Sequence, residues 1–435
     1  MSAHGLEGRQ RALVQLVDNR ALPAIRAIVS VCSAHPLVIE AALRRGREEG
    51  TAVLIEATCN QVNQDGGYTG MTPADFRRFV EEIAAKIGFP AKHLILGGDH
   101  LGPNPWKSLP AEQALARAET MIAAYIDAGF QKIHLDTSMG CAGEPTALTD
   151  ELTAARAARL ARVAEDRMAG THRPRPVYII GTEVPPPGGV THTLGQLAVT
   201  EAAAVERTVA VHGAAFAAAD VADAFRRVIG IVVQPGVEFG NANVAIYQPE
   251  RARNLSGVLE RLPGLVFEAH STDYQPATAL AALVDDGFAI LKVGPGLTFA
   301  VREALYGLDA IAGELATRPP SESLERTMER VMLENPAHWK SFYPGTSEEK
   351  RLQRHFSYSD RIRYYWAHPQ AAAAVDRLIA MFGKRDLPET LISQYLPRLY
   401  PSVLAGRISA QPRDLCLAAV DAALDPYYAA VKGEP

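Results

Sequence analysis

A TIM (β/α)₈ barrel with a helical C-terminal extension is the fold class that this 435-residue chain predicts. Three observations predict it. From about residue 21 to residue 317, short β-branched apolar runs alternate with longer Ala-, Leu-, Arg- and Glu-rich stretches of helical spacing, the pattern of a parallel sheet covered by helices. Eight such units fit in about 300 residues, the size expected of this barrel. Polar residues gather directly after each apolar run, and in a β/α barrel the strand C-termini share the face that carries the chemistry.

The strands are expected over 27–32, 52–56, 94–98, 132–136, 177–181, 230–234, 265–268 and 288–293. Each is nearly continuous in apolar residues, as strands buried on both faces are. Helices fit between them at 36–49, 73–87, 111–128 and 150–167, then in a longer insertion around 200–227, then at 249–262, 276–286 and 297–317. An open doubly wound sheet is the alternative, and it is disfavoured because no GxGxxG turn follows the first strand. After about residue 318 no strand of this kind recurs. The region 318–435 reads as a helical domain or cap, with helical patches at 360–366, 370–381, 387–396 and 415–431.

Bulk composition narrows the function classes. The chain is 48% hydrophobic and 21% charged with net charge −5, which gives no footprint for nucleic acid. No apolar run approaches the ~20 residues needed to cross a bilayer. The first twenty residues lack a signal-peptide core. Four scattered cysteines form neither a disulfide framework nor a zinc-finger spacing. A cytoplasmic protein without a membrane partner is the expectation.

The strand ends supply the candidate chemistry. Asp99 and His100 leave the third strand side by side in Gly97-Gly98-Asp99-His100. Adjacent strand residues point in different directions, so one can bind metal while the other moves a proton next to a polarised carbonyl. An Asp capping the loop over a packed His explains the dipeptide equally well. His270 after the seventh strand and Glu183 after the fifth join His100 as a three-ligand set with an open position, the form of a catalytic metal site. Glu238 and Asp136 are further candidate ligands or their supports. His134 reads as barrel packing, and His35 as either a site residue or a helix cap.

Glu56, Asn60, Gln61 and Ser271 are candidate substrate contacts. Gly294 and Gly296, in Gly294-Pro295-Gly296 ahead of a helix, form a candidate phosphate cradle of backbone N–H groups; a plain tight turn competes. Lys292 inside the eighth strand admits a Schiff-base mechanism with a ketose, against a structural or phosphate-adjacent role. Tyr68 lies in a Gly-rich loop that either closes over the site or sits on the surface. Arg361 and Arg363 either reach an anionic substrate over the barrel mouth or pack a helix against the barrel.

Several long motifs carry a resemblance. Ser30-Val31-Cys32-Ser33-Ala34-His35-Pro36, Gly66-Gly67-Tyr68-Thr69-Gly70-Met71, Gly97-Gly98-Asp99-His100-Leu101-Gly102-Pro103-Asn104, Gly181-Thr182-Glu183-Val184-Pro185 and Tyr358-Ser359-Asp360-Arg361-Ile362-Arg363 resemble the GatZ/KbaZ family over essentially the whole chain. The family is described as the second subunit of D-tagatose-1,6-bisphosphate aldolase and has carried the label tagatose-6-phosphate kinase. It is distantly similar to the metal-dependent class II aldolases. The resemblance implies Asp99 as proton-transfer carboxylate, His100 and His270 as ligands, Glu183 at the fifth strand, and a divalent metal, zinc first with manganese, cobalt or nickel as alternatives.

Two departures stand out. Gly236-Val237-Glu238-Phe239-Gly240 replaces a further ligand histidine. Ser271-Thr272-Asp273-Tyr274 replaces a Gly-rich phosphate loop with an acidic residue.

Three functions follow as expectations. The first is a subunit of a tagatose-bisphosphate aldolase system, in a homo- or hetero-oligomer with a Y-type catalytic partner. The second is an autonomous metal enzyme that cleaves or 4-epimerises a ketose or its phosphate. The third, a kinase, lacks a GxxxxGK[ST] loop.

Overall fold

The computed structural model describes residues 8–18, 26–182, 197–315 and 322–433. Eight parallel strands close into a barrel: β1 (Ile28–Cys32), β2 (Val53–Thr58), β3 (Leu94–Leu101), β4 (Lys132–Leu135), β5 (Val177–Ile180), β6 (Val228–Val233), β7 (Val266–Ala269) and β8 (Phe288–Val293). Each pairs with its neighbour in the chain, and β1 closes the ring on β8 with Ile28 opposite Ile290 and Val31 opposite Val293.

The helices of the ring are α2 (Pro36–Glu49), α3 (Pro73–Lys86), α4 (Ala111–Asp127), α5 (Asp150–Met168), α6 (Ala202–Ala218), α7 (Ala222–Phe225), α8 (Pro249–Gly257), α9 (Ala277–Asp285) and α10 (Pro295–Leu315). The insertion expected over 200–227 divides into α6 and α7, with Asp220 in a left-handed turn between them. The helix expected over 249–262 ends early and finishes as a 3₁₀ turn, Val258–Arg261.

C-terminal to the barrel come α11 (Leu324–Glu334), α12 (Ser347–Phe356), a 3₁₀ turn at Arg361–Tyr365, α13 (Pro369–Phe382), α14 (Glu389–Tyr395), α15 (Tyr400–Leu404) and α16 (Pro412–Lys432). The boundary expected at 317/318 lies outside the described residues. α16 lies against α2, α9 and α10 and touches β1. The last helix of the chain thereby shares the ring around the first strand.

An N-terminal helix, α1 (Gly8–Asp18), was not expected from so polar a segment. It buries Leu13 and Leu16, three residues apart and so on one helical face. They pack beneath the barrel with Ile28, Leu54, Ile95, Ile179 and Ile290. The barrel therefore has an apolar floor.

Above that floor the interior turns ionic. Lys132 on β4 is fully buried, with its Nζ 2.8 and 2.9 Å from the two carboxylate oxygens of Glu56 on β2 and 2.8 Å from Glu268 Oε2 on β7. Burial works against its charge, and Glu268 and Glu56 outweigh burial, so its pKa rises. Gly97 makes room for this layer: a Cβ there would lie 2.8 Å from Glu56 Cγ.

Two predictions follow from this packing. Lys132→Met leaves both glutamates buried without their bridge and costs about 3–5 kcal/mol. A urea midpoint equal to the parent's would show that the bridge contributes little.

The second concerns acid stability. His212 on α6 is fully buried, its Nδ1–H donates to the Thr208 carbonyl at 2.8 Å, and burial pushes its pKa down from 6.5 to about 4. The unfolded chain takes up this proton first. Stability is therefore intact above pH 6.5 and falls as pH drops towards 4, by about 1.4 kcal/mol per unit. The loss of stability between pH 7.5 and 4.5 should be smaller in His212→Phe than in the parent, with the rest left to other buried histidines such as His35 and His270, whose pKa values burial also lowers; an acid loss as large as the parent's would exonerate His212.

Candidate active site

β3 carries the centre of the site. Its pairing with β4 slips between Gly98 and Leu101, and His100 adopts a left-handed backbone with φ of 49°. Plain strand alternation would send Asp99 and His100 to opposite sides, as expected above. The irregularity instead turns both into one cavity at the C-terminal mouth.

Three buried imidazoles meet there. The His100, His134 and His270 rings stand 4.9 to 5.2 Å apart, centroid to centroid. Asp136 Oδ2 lies 2.7 Å from His100 Nδ1, a carboxylate that orients the ring. Asp99 Oδ1 lies 2.8 Å from His134 Nδ1. Burial pushes the Asp99 pKa up, but His100, Lys292, His134 and His270 outweigh it and hold it well below the usual carboxylate range. His134 Nδ1 also faces the His100 backbone N–H, which donates to it at 3.1 Å, so both of its near contacts lie on that side of the ring and Nε2 lies on the other. That Nε2 is buried with no hydrogen-bond partner.

Lys292 reaches the same group from β8. Its ammonium pairs with Asp99 and lies 3.3 Å from Glu268 Oε1 and 4.0 Å from Glu56 Oε2. Burial lowers its pKa, yet Asp99, Glu56, Cys32 and Glu268 raise it well above the ordinary value. A lysine held this firmly protonated is a poor Schiff-base nucleophile.

The structure gathers most of the expected residues. Asp99, His100, His270, Asn60, Gln61, Ser271, Lys292 and Gly294 line the cavity. Glu56 lies in the ionic layer, and Asp136 buttresses His100. His35 caps α2, its Nδ1 accepting from the Leu37 N–H at 3.3 Å. Glu238 opens a two-stranded ribbon (Glu238–Phe239 with Val244–Ala245), and its neighbour Phe239 reaches the cavity. Burial pushes the Glu238 pKa up to about 7.

Other placements differ from expectation. The cradle N–H groups of Gly294 and Gly296 both donate to Asp273 Oδ1, at 2.9 and 2.6 Å, so a carboxylate sits where a phosphate was anticipated. Arg361 stacks its guanidinium 3.3 Å from the Phe342 ring centroid and donates to the His338 carbonyl, while Arg363 faces the cavity. Glu183 and the proline tract after it lie outside the described residues.

Sequence reasoning passed over His134 and Glu268 as site residues. Their signal was the two-residue period: His134 with Asp136, and Glu268 with His270, share the inward face of their strands.

Residues 357–366 strap the mouth. Ser357 and Ser359 donate to Asn241 Oδ1 at 3.1 and 3.0 Å, and Tyr274 donates to the Tyr358 carbonyl at 2.7 Å. Asp360 accepts from Arg302 Nε at 3.1 Å and Thr298 Oγ1 at 2.7 Å. Tyr68, from the loop after β2, packs 4.5 Å from Tyr364 of the strap, ring centroid to ring centroid.

The donors fit a metal ion. One ligand atom each from Asp99, His134, Glu268 and His270 lies within 4.8 Å of the others, all buried. Four buried carboxylates (Glu56, Asp99, Asp136, Glu268) face two ammonium groups, which leaves two negative charges unmatched while the imidazoles are neutral. Asp99 and Asp136 raise the pKa of His100 against the opposing effect of burial, a partial answer to that excess. A divalent cation would answer it fully.

Fold and site together define a β/α-barrel protein with an ionic, metal-competent pocket at the strand C-termini. The chain belongs to the D-tagatose-1,6-bisphosphate aldolase subunit GatZ/KbaZ-like family, whose model matches residues 13–432. It is 57% identical over 403 residues to a D-tagatose 6-phosphate 4-epimerase of Agrobacterium fabrum, covering 93% of this chain and 94% of that one. A crystal structure of a probable tagatose 6 phosphate kinase from Sinorhizobium meliloti 1021 is 61% identical, with a TM-score of 0.87, over 93% of this chain and all of that one. Among the described residues, no helix is long and apolar enough to cross a membrane.

His134 provides the sharpest check on the donor set. His134→Ala should weaken divalent-metal affinity at least about tenfold, read by metal analysis after equilibrium dialysis, with the exposed His172→Ala as control. Undiminished metal content in a folded His134→Ala would remove it from the set.

Proposed function

We propose that this chain is an autonomous, metal-dependent 4-epimerase of a ketohexose 6-phosphate, with D-tagatose 6-phosphate as the first substrate to test. The observation that carries the reading is Asp99: an ionised carboxylate that lines the cavity, held between His134 and Lys292 and grouped with three further metal-competent donors. The name of the 57%-identical relative supports the substrate.

Asp99 takes the proton of the C4 hydroxyl. The C3–C4 bond breaks, and its electron pair moves towards the C2 carbonyl, giving a three-carbon enediolate and glyceraldehyde 3-phosphate. The aldehyde turns about its C4–C5 bond and presents its other face. The C3–C4 bond re-forms, and Asp99 returns the proton to the C4 oxygen, which yields the 4-epimer. Lys292 keeps Asp99 ionised before the proton is taken and after it is returned. Tyr68 and Tyr364 of the strap line the cavity and narrow the access of water that would protonate the enediolate at C3. Of the four clustered donors, His134, His270 and Glu268 would hold a divalent ion, zinc or manganese, and leave Asp99 to move the proton. Such an ion polarises the C2 carbonyl when bound.

A second reading has one support: the family description names an aldolase subunit. In that case the chain would stabilise a Y-type catalytic partner. A kinase reading lacks any GxxxxGK[ST] segment in the sequence.

The test uses the purified full chain with Zn²⁺ or Mn²⁺ and D-tagatose 6-phosphate, following fructose 6-phosphate. Chelator should abolish turnover. Asp99→Asn should lower kcat by about a hundredfold or more. An active Asp99→Asn, or chelator-resistant turnover, would overturn the mechanism. No turnover, but a longer lifetime for an added Y-type aldolase, would establish the subunit reading instead.

A further inference from the structure

A sugar phosphate brings a dianion into this cavity, and most of the groups suited to bind it are already engaged. The backbone N–H groups of Gly294 and Gly296 are taken by Asp273. The Lys292 ammonium is surrounded by Asp99, Glu268 and Glu56. Arg363 is different. Its guanidinium lines the cavity and, among the described residues, has no carboxylate within ion-pair distance. It donates instead to the carbonyls of Ser359 and Asp360 and, at 3.1 Å, to the Tyr364 hydroxyl, and it stacks 4.5 Å from the Tyr364 ring centroid. The neighbouring Asp360 carboxylate is committed to Arg302 and Thr298. Asp360 and Asp273 act on Arg363 electrostatically without an ion pair, so the cation is fixed in place by neutral partners and still faces the cavity, and a guanidinium fork suits phosphate.

We propose that Arg363 grips the phosphate of the aldehyde half of the substrate and retains that fragment in the cavity between bond cleavage and bond re-formation. This rests on the epimerase reading above and deepens it. Epimerase and aldolase share the bond-breaking step; they differ in whether the aldehyde stays. C6, which carries the phosphate, is two carbons from the new carbonyl at C4, so an anchored phosphate leaves C4 free to turn while the fragment cannot depart. Arg363 is on this account a specificity and retention residue, and Asp99 remains the proton-transfer group.

The experiment compares the parent chain with Arg363→Ala, Arg363→Met and Arg363→Lys, all loaded with the same metal. Free glyceraldehyde 3-phosphate is scored with an excess of its NAD-dependent dehydrogenase, alongside 4-epimer formation. Arg363→Ala should raise KM for D-tagatose 6-phosphate at least tenfold and raise triose phosphate released per epimer formed at least tenfold. The rise in KM should be several-fold larger for D-tagatose 6-phosphate than for unphosphorylated D-tagatose. Arg363→Lys should fall between. Arg363→Met keeps apolar packing on Tyr364 and guards against a folding defect.

An Arg363→Ala or folded Arg363→Met enzyme with the parent's KM and release ratio would overturn the inference while leaving the epimerase reading intact. A parent chain that does not epimerise at all would sink the reading. The anion site would then stand only if inorganic phosphate raised the parent's melting temperature and failed to raise that of Arg363→Met.

Discussion

Burying an alternating set of charges inside one barrel is the constraint on which the rest of this structure depends. Each ion removed from water costs several kcal/mol, which is offset only where partners are close and numerous. The barrel meets that condition by sharing. Lys132 bridges Glu56 and Glu268, and Lys292 extends the set from Glu268 to Asp99. The set thereby joins strands β2, β4, β7, β8 and β3. Below it, α1 seals the barrel with Leu13 and Leu16, so the ionic layer is walled from solvent on that side. Asp99 is the carboxylate of the set that opens onto the cavity. Its position is held by the same pairs that stabilise the layer, which is how a rigid scaffold fixes a reactive group.

The mouth is built by the opposite means, from irregular backbone. His100, Ser271, Tyr274 and Asp360 all have positive φ, a conformation that costs a non-glycine residue of order 1–3 kcal/mol each. Four such residues on three separate segments surround one cavity or its strap. The compensation is visible: His100 is held by Asp136, Tyr274 by the Tyr358 carbonyl, and Asp360 by Arg302 and Thr298. A straight end to β3 would have placed Asp99 and His100 on different faces.

The names attached to the family's members differ in what they ask of this site. An epimerase that works by retro-aldol cleavage breaks the same carbon–carbon bond as an aldolase, and so needs the same base and electrophile. What separates them is the fate of the aldehyde, a matter of the groups around the mouth. A kinase requires a cradle for a nucleotide's phosphates. The backbone groups that most resemble one, at Gly294 and Gly296, are occupied by Asp273, whose pKa burial pushes up to about 6 despite those two donors.

The sequence by itself determined the barrel, because strand and helix periods are local and eight apolar runs of strand length alternate with stretches of helical spacing. It also determined which residues end each strand, and Asp99, His100, His270 and Lys292 were legible for that reason. It did not determine which side chains meet. His134 read as packing because an inward residue on an apolar strand is ambiguous until the barrel closes and sets His100 and His270 against it. Glu268 was invisible for the same reason, since its partners Lys132 and Lys292 lie far away in sequence. Arg361 and Arg363 looked equivalent as text; the 3₁₀ turn sends one over Phe342 and the other to the cavity. Gly294 and Gly296 had the pattern of an anion cradle, and only the fold of the β7 loop showed a carboxylate already in it. Local pattern is encoded by neighbours along the chain, whereas a site is assembled across register and closure, where partners are chosen by charge and space.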